Sequence, residues 1–247
     1  LKECGLCCEI MNENGKMMRT SDLIQFSQIH HIPTLTIKEL QEYRKVYDML
    51  VECVSVVEMP TKYGDFKAHC YINKLNGEHH VALVMGELNS GNDVLCRVHS
   101  ECLTGDVFGS LRCDCGQQLD RAMKMIAENG SGVLLYMRQE GRGIGLVNKL
   151  KAYHLQDKGM DTLDANLALG FQGDLREYYI GAQILRDLGI KSLHLLTNNP
   201  DKVYQLEDYG MQISSRVPIE IKANPYDSFY LKTKKDRMGH ILNMEEK

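Results

Sequence analysis

The order of strand-like and helix-like segments is the feature that most restricts the fold of this chain. Apolar segments of strand length come first, and from Gln117 onward segments with helical spacing alternate with short apolar strands. We therefore predict an α/β fold, with α+β as the alternative, in which helices flank a layered mixed β-sheet and the first half is rich in strands. The expected strands span 53–57, 66–72, 81–86, 94–98, 132–137, 192–196 and 211–217, and the expected helices span 117–129, 144–158, 177–188 and 200–210.

A smaller block, residues 1–45, precedes this pattern. Ser21 is expected to cap a helix that runs to His30. Residues 34–37 are expected to form a short strand and residues 38–44 a second short helix. A block of this size is too small to hold a substantial core by itself.

Composition limits the class of protein. Among the 247 residues no run of about 18 apolar residues exists, so we expect no membrane span. The net charge of −4 argues against a general nucleic-acid binder. Nine cysteines without a secretory signal are typical of reduced thiols, so we expect a cytoplasmic protein. Because the chain begins with Leu1, we expect it to be a piece of a longer protein, in which a targeting segment could precede it.

Three cysteines form the most specific local pattern. Cys102, Cys113 and Cys115 have C-x10-C-x-C spacing in a polar, glycine-flanked segment. Three thiolates with one open position are typical of a catalytic zinc site. The alternative is three buried cysteines that bind nothing. Cys4 and Cys7 form a C-x-x-C pair without a partner pair, and we do not expect them to bind a metal.

Two polar turns lie between a buried strand and a helix, where backbone amides can bind an anion. One is the glycine-rich segment 138–145, which carries two arginines, and the other is the segment 197–202. A structural turn or a capping turn explains each of them almost equally well. Asp174 and Arg176 precede a predicted helix, so a capping residue and a surface charge are their default interpretation.

Several long segments, in this order, resemble GTP cyclohydrolase II, the enzyme that begins riboflavin synthesis. The resemblance runs from about Glu58 to His240. It is carried by the segments 97–116, 136–148, 153–157, 161–171, 197–202 and 234–240.

The resemblance implies a site and a reaction. It implies one zinc ion per chain on Cys102, Cys113 and Cys115, Mg²⁺ on the GTP phosphates, and a homodimer without nucleic-acid or membrane partners. Zinc would activate the water that opens the guanine ring at C8, and the products would be formate, pyrophosphate and 2,5-diamino-6-ribosylamino-4(3H)-pyrimidinone 5′-phosphate. Asp174 matches the proton acceptor, Arg176 a residue acting on the α-phosphate, and Tyr153 an active-site tyrosine. The positions that match GTP contacts are Arg97, Val98, His99, Ser100, Glu101, Gln118, Glu140, Gly141, Arg142, Thr162, Thr197 and Lys202.

The first block resembles the end of 3,4-dihydroxy-2-butanone 4-phosphate synthase, from Cys8 to Arg44. The two enzymes occur fused in this order in bifunctional riboflavin proteins. Glu9 matches a metal-binding or catalytic glutamate of the synthase, whose other site residues would lie before Leu1. We therefore predict a synthase remnant at 1–45 without synthase activity, and a cyclohydrolase domain at 46–247.

Three other functions compete with this interpretation. A zinc-ribbon nucleic-acid binder would need a fourth metal ligand, a basic surface and stacking aromatic residues, whereas the chain has no Trp and five Phe. A related enzyme could stop after opening the ring. A catalytically inactive nucleotide-binding subunit would not require Asp174, Arg176 and all three cysteines.

Overall fold

The computed structural model describes residues 5–243 and divides the chain into two units, at Arg44 and Lys45. The first unit holds helix α1 (Thr20–His30) and the start of helix α2 (Ile37–Tyr47), and neither helix contains a buried residue. Among the described residues, no helix has the length and apolar character that crossing a bilayer requires.

Two details of the first unit correct the sequence analysis. Helix α1 already includes Ser21, and the carboxylate of Asp22 accepts a hydrogen bond from the Arg19 backbone, so Ser21 is not the cap. The strand expected at 34–37 does not form. Instead Thr36 and Glu39 bond to each other's backbone amides, at 2.6 and 3.1 Å, and this capping box begins α2.

The second unit is built on a mixed sheet whose seven described strands lie in the order β1-β2-β3-β5-β4-β6-β7. The β-rich first half forms antiparallel pairs, and β5, β4, β6 and β7 run parallel. The predicted layered α/β fold is thus confirmed. The strands are β1 (Val51–Thr61), β2 (Gly64–Asn73), β3 (His79–Met85), β4 (Val94–Ser100), β5 (Gly132–Met137), β6 (Ser192–Leu196) and β7 (Gln212–Val217).

Helices cover both faces of this sheet. The described helices of this unit are α3 (Leu103–Asp106), α4 (Cys115–Asn129), α5 (Gly145–Gln156), α6 (Thr162–Ala168), α7 (Tyr179–Asp187), α8 (Pro200–Asp208) and α9 (Ser228–Met238). Ile126 of α4 packs with Leu134 and Phe66 in one apolar cluster, while Ile184 of α7 and Leu206 of α8 belong to the cluster on the other face. The short or polar helices α3, α6 and α9 were not predicted from the sequence.

The sheet contains a buried histidine that makes stability depend on pH. His80 on β3 is 2% exposed, and its Nδ1 accepts the backbone N–H of Arg138 at 3.1 Å. Burial, together with His79 and Arg138, lowers the pKa of His80 to about 4. Because the unfolded chain then binds the proton more readily, this contribution to stability is present above about pH 6.5 and is lost as the pH falls toward 4.

We expect His80→Asn to reduce the pH dependence of unfolding. Asparagine can still accept the Arg138 N–H but does not titrate. Between pH 7 and pH 5 the variant should lose about 2 kcal/mol less unfolding free energy than the wild type, measured by urea denaturation at each pH. His154→Asn, at an exposed position on α5, is the control and should follow the wild type. An unchanged pH dependence in His80→Asn would contradict the assignment.

Candidate active site

The site lies where the parallel strands end. The loops that follow β4, β5 and β6 meet at the carboxyl edge of the sheet, and β5 and β6 lie on opposite sides of β4. Such a reversal of strand order leaves a crevice in which α/β proteins bind ligands. A cavity opens at this edge, lined by residues of all three loops.

The three cysteines of the spaced pattern come together at this cavity, as predicted. Cys102 follows β4, and Cys115 begins α4. The three Sγ atoms lie within 4.8 Å of one another, and those of Cys102 and Cys113 are 3.6 Å apart. Zn–S bonds of about 2.3 Å place two thiolates at such a distance.

The backbone around the cysteines also suits a metal. A Cβ added to Gly105 would lie 3.0 Å from Cys113 Sγ and 3.1 Å from Cys102 Sγ, so the absence of a side chain there leaves the thiols room. A soft, three-sulfur donor set of this kind selects zinc over magnesium or calcium. The residues present therefore fit the zinc ion that the resemblance implies.

The thiols share charge unequally. Hydrogen bonds from Cys113 and Cys115, and the ammonium of Lys149, lower the pKa of Cys102. The bond to Cys102 and burial raise the pKa of Cys113 to about 11, and the pKa of Cys115 is raised for the same reasons. Three thiolates this close would repel one another. A divalent cation offsets that repulsion, and its binding deprotonates the coordinating thiols.

A series of hydrogen bonds between buried polar side chains connects α9 to the cysteine loop. Lys234 Nζ donates to Asp114 Oδ1 at 2.7 Å, and Gln118 Nε2 donates to Asp114 Oδ2 at 2.5 Å. Gln118 in turn accepts a hydrogen bond from Arg97, whose Nη1 also donates to the Leu196 carbonyl at 2.8 Å. Burial opposes ionisation of Asp114, but Lys234 holds its pKa below the usual value.

A second buried network fixes the backbone of Cys102. His99 Nε2 lies 3.1 Å from both carboxylate oxygens of Asp106. Asp106 Oδ2 also accepts the Tyr136 hydroxyl at 2.7 Å and the Cys102 backbone N–H at 2.9 Å. Burial lowers the pKa of His99, which keeps the ring neutral near pH 7. His99 thus positions the loop of Cys102 and also reaches the cavity.

The glycine-rich loop after β5 carries Arg142, whose guanidinium lies over the Tyr230 ring, 5.8 Å from its centre. Gly141 and Arg142 both have positive φ, 63° and 61°, a conformation that is uncommon for an arginine. Within residues 5–243, the two terminal nitrogens of Arg142 are buried without a hydrogen-bond partner. Strain and an unsatisfied guanidinium together indicate a site built for an anion.

Asp174 and Arg176 form a close ion pair in the loop before α7. Arg176 Nε donates to Asp174 Oδ1 at 2.9 Å, and Arg176 Nη2 bonds to Oδ2. The Arg176 side chain is 14% exposed and lines the cavity, so it is not a surface charge. Helix α7 begins at Tyr179, so Asp174 does not cap it. Burial opposes ionisation of Asp174, but Arg176 holds its pKa below the usual value.

The turn after β6 combines capping with a buried lysine. Asn199 caps α8 through the backbone N–H of Asp201 at 3.1 Å, and Thr197 Oγ1 accepts the Asn199 backbone N–H at 3.0 Å. Lys202 Nζ donates to the Val98 carbonyl at 2.8 Å. Burial lowers the pKa of Lys202 well below its usual value, and neighbouring arginines lower it further. The turn therefore caps a helix and also places the Lys202 side chain in the cavity lining.

The aromatic ring of Tyr153 lines the cavity together with the thiols. Tyr153 of α5 lies 3.4 Å from Thr104 Oγ1 through its hydroxyl, and the Arg112 guanidinium is 5.1 Å from its ring centre. Thr162, at the start of α6, also lines the cavity and accepts a hydrogen bond from Gln156 at 3.1 Å.

Most of the residues selected from the sequence line this one cavity. Val98 does not, since its side chain is buried in the core, and Asp174 reaches the cavity only through Arg176. Glu9, Cys7 and Cys8 are exposed in the first unit, and Cys4 lies outside the described residues. Sequence reasoning assigned no role to several other lining residues, which include Lys149, Gln156, Asn166, Asn198 and Tyr230. Helical spacing could have found two of them, because Lys149 and Gln156 share a face of α5 with Tyr153.

Comparison with known proteins decides the family. The family model for GTP cyclohydrolase II matches residues 52–218, about two thirds of the chain. The chain belongs to the GTP cyclohydrolase II family. The family model for 3,4-dihydroxy-2-butanone 4-phosphate synthase matches residues 1–43. The resemblance inferred from the motifs is thereby confirmed.

Riboflavin biosynthesis proteins match almost the whole length of this GTP cyclohydrolase II family member. It is 55% identical to the riboflavin biosynthesis protein RibBA of Bacillus subtilis over 240 residues, 97% of this chain and 60% of that protein. It is 53% identical to RibBA of Aquifex aeolicus over 243 residues, 98% of this chain and 60% of that protein. The chain thus spans about 60% of the length of these relatives.

One solved structure is also similar. It is RibBX, a two-domain 3,4-dihydroxy-2-butanone 4-phosphate synthase from A. baumannii, with 27% identity. The match covers 77% of this chain and 47% of that chain, with a TM-score of 0.41. A TM-score this low does not establish a shared fold.

Proposed function

We propose that this chain hydrolyses GTP to formate, pyrophosphate and 2,5-diamino-6-ribosylamino-4(3H)-pyrimidinone 5′-phosphate. The observation that carries the proposal is one cavity that joins three clustered thiols to a group of buried cations. The thiols suit a metal that activates water, and the cations suit a polyphosphate. Membership of the GTP cyclohydrolase II family supports GTP as the substrate, with its guanine base near the thiols and its triphosphate near the cations.

The cations bind the triphosphate in this proposal. Among the described residues, two nitrogens of Arg142 and the buried Nε of Arg97 lack a hydrogen-bond partner, and Lys202 is buried in the same cavity lining. Phosphate oxygens would satisfy donors that the protein leaves unpaired. Mg²⁺ would accompany the phosphate oxygens and offset their charge.

The base binds beside the thiols in this proposal. Tyr153 offers an aromatic face near Cys102 and Cys113, and Gln118 and Glu101 line the same cavity. Cys102, Cys113 and Cys115 would hold zinc, which supplies an activated water for opening the imidazole ring and releasing formate. Asp174 is the proposed proton acceptor, held ionised by Arg176.

Arg176 stabilises charge at the α-phosphate in this proposal and does not act as a nucleophile. Burial opposes protonation of Arg176, but the nearby acidic groups, Asp174 among them, raise its pKa. A guanidinium that stays protonated has no lone pair for attack. Its forked donors instead match phosphate oxygens.

Product identification tests this proposal against the related reaction that stops early. The protein is incubated with GTP, Zn²⁺ and Mg²⁺, and the product is identified by mass spectrometry. We expect the deformylated pyrimidinone monophosphate. A ring-opened product that retains the formyl group would identify the alternative enzyme. The same sample, studied by analytical ultracentrifugation, tests the predicted homodimer.

A further inference from the structure

A lysine lies buried between a metal-ligand thiol and a carboxylate. Lys149 Nζ is 3.0 Å from Cys102 Sγ and 2.8 Å from Glu140 Oε1. Its side chain is 11% exposed. Lysine is almost never buried unless it is paired. The ammonium therefore lies between a carboxylate and a thiol that can ionise, within hydrogen-bond distance of both.

The carboxylate in this bridge holds two loops together. Glu140 Oε2 accepts the backbone N–H of Leu103 at 2.6 Å, and Oε1 accepts that of Gly141 at 2.8 Å. Leu103 directly follows Cys102, while Gly141 belongs to the glycine-rich loop. Lys149 therefore contacts the Cys102 thiol directly and also fixes the carboxylate that positions the next peptide.

Charge explains why a cation is needed at this point. Three thiolates around a divalent ion carry one net negative charge, and the Glu140 carboxylate lies close to them through Lys149. Unit charges a few ångströms apart interact more strongly in a partly buried site than in water. Without the ammonium, Glu140 and the thiolates would repel each other. A hydrogen bond from a cation also withdraws electron density from the sulfur, which leaves a bound metal more electron-poor.

We propose that Lys149 is a positioning residue of the metal centre. It orients Cys102, offsets the charge of the three-thiolate set and joins that set to Glu140. The effect on turnover rests on the proposed function, whereas the effect on metal binding does not. Groups that orient metal ligands in this way are typically worth about 10–100-fold in metal affinity or activity.

The test compares Lys149→Met with Lys151→Met, an exposed position on the same helix. Both proteins are loaded with Co²⁺ for spectroscopy and with Zn²⁺ for release to a chelator. We expect Lys149→Met to lose Zn²⁺ about 10–100-fold faster than wild type, and its thiolate-to-cobalt absorption to move to longer wavelength. Lys151→Met should match the wild type in both measurements. These readouts need no GTP, so they remain informative if the proposed reaction fails.

Kinetics with GTP adds a second readout. We expect Lys149→Met to lower kcat for formate release much more than it changes KM, because the residue acts on the metal centre. Wild-type metal retention and an unmoved cobalt band in Lys149→Met would overturn the proposal. If Lys149→Met does not fold, Lys149→Arg decides, since it keeps the charge and should stay within a few-fold of wild type. Loss of metal from a folded Lys149→Arg as complete as that of a cysteine variant would contradict the charge argument.

Discussion

We expect Cys113→Ser to release formate from GTP at least about 10³-fold more slowly than the wild type, since a metal supplies several kcal/mol to such a step. Cys113 Sγ lies 3.6 Å from Cys102 Sγ in the cluster of three thiols. Serine is a poor zinc ligand because its hydroxyl is not ionised near neutral pH. The remaining two thiols would leave the metal weakly held.

Pyrophosphate release should respond differently to this substitution. The cations proposed to bind the triphosphate, such as Arg176 and Lys202, are not part of the thiol cluster. We therefore expect Cys113→Ser to retain measurable pyrophosphate release while it loses formate release. The two products are measured in the same reaction, together with the zinc content of the protein.

Cys70→Ser is the matched control for Cys113→Ser. Cys70 lies on β2, outside the cavity lining, and is a free cysteine. We expect its variant to keep the wild-type zinc content and formate release. A Cys113→Ser protein with normal zinc content and normal formate release would contradict the assignment of the thiols.

The second large effect is expected at Arg176. Arg176→Met should lower pyrophosphate release by about 10²–10³-fold, the loss seen when one preorganised charged or polar donor is removed from a transition state. Arg176→Lys keeps the charge but not the forked geometry, so its rate should lie between those of the wild type and Arg176→Met. Pyrophosphate release under saturating GTP and Mg²⁺ measures both.

Two controls keep the Arg176 prediction specific. Arg121→Met removes an exposed arginine of α4 that does not line the cavity, and should leave the rate unchanged. Thermal unfolding shows whether loss of the ion pair with Asp174 has destabilised the variant instead. Equal rates for folded Arg176→Met and wild type would refute a role at the α-phosphate. A covalent guanylyl adduct on Arg176, detected by mass, would contradict the electrostatic role.

Apolar segments of strand length were enough to predict where the strands of the sheet lie. Strand β5 is a continuous apolar segment after Gly132, β6 is rich in leucine, and both form at the predicted residues. Helix α9 lacked such a signal, because the residues it buries are Leu231, Thr233 and Lys234, only one of which is apolar. Helix α9 contributes to the site through the buried ion pair of Lys234 with Asp114, two residues that are distant in sequence.

The residues of the candidate site were likewise only partly predictable from the sequence. The close spacing of Cys113 and Cys115 indicated a metal site with Cys102, and the three thiols do lie together in the structure. Lys149 was assigned no role from the sequence although it shares a face of α5 with Tyr153, since a lysine on an amphipathic helix normally faces solvent. The capping box of Thr36 and Glu39 was visible in the sequence, but the apolar segment around it favoured a strand instead.

The balance of products formed from GTP tests the central proposal most directly. The protein is incubated with GTP, Zn²⁺ and Mg²⁺, and formate, pyrophosphate and remaining GTP are quantified over time. The account predicts that formate and pyrophosphate appear in equal amounts as GTP disappears, and that removal of zinc by a chelator stops formate release. A folded, zinc-loaded protein that leaves GTP intact in the presence of Mg²⁺ would contradict it.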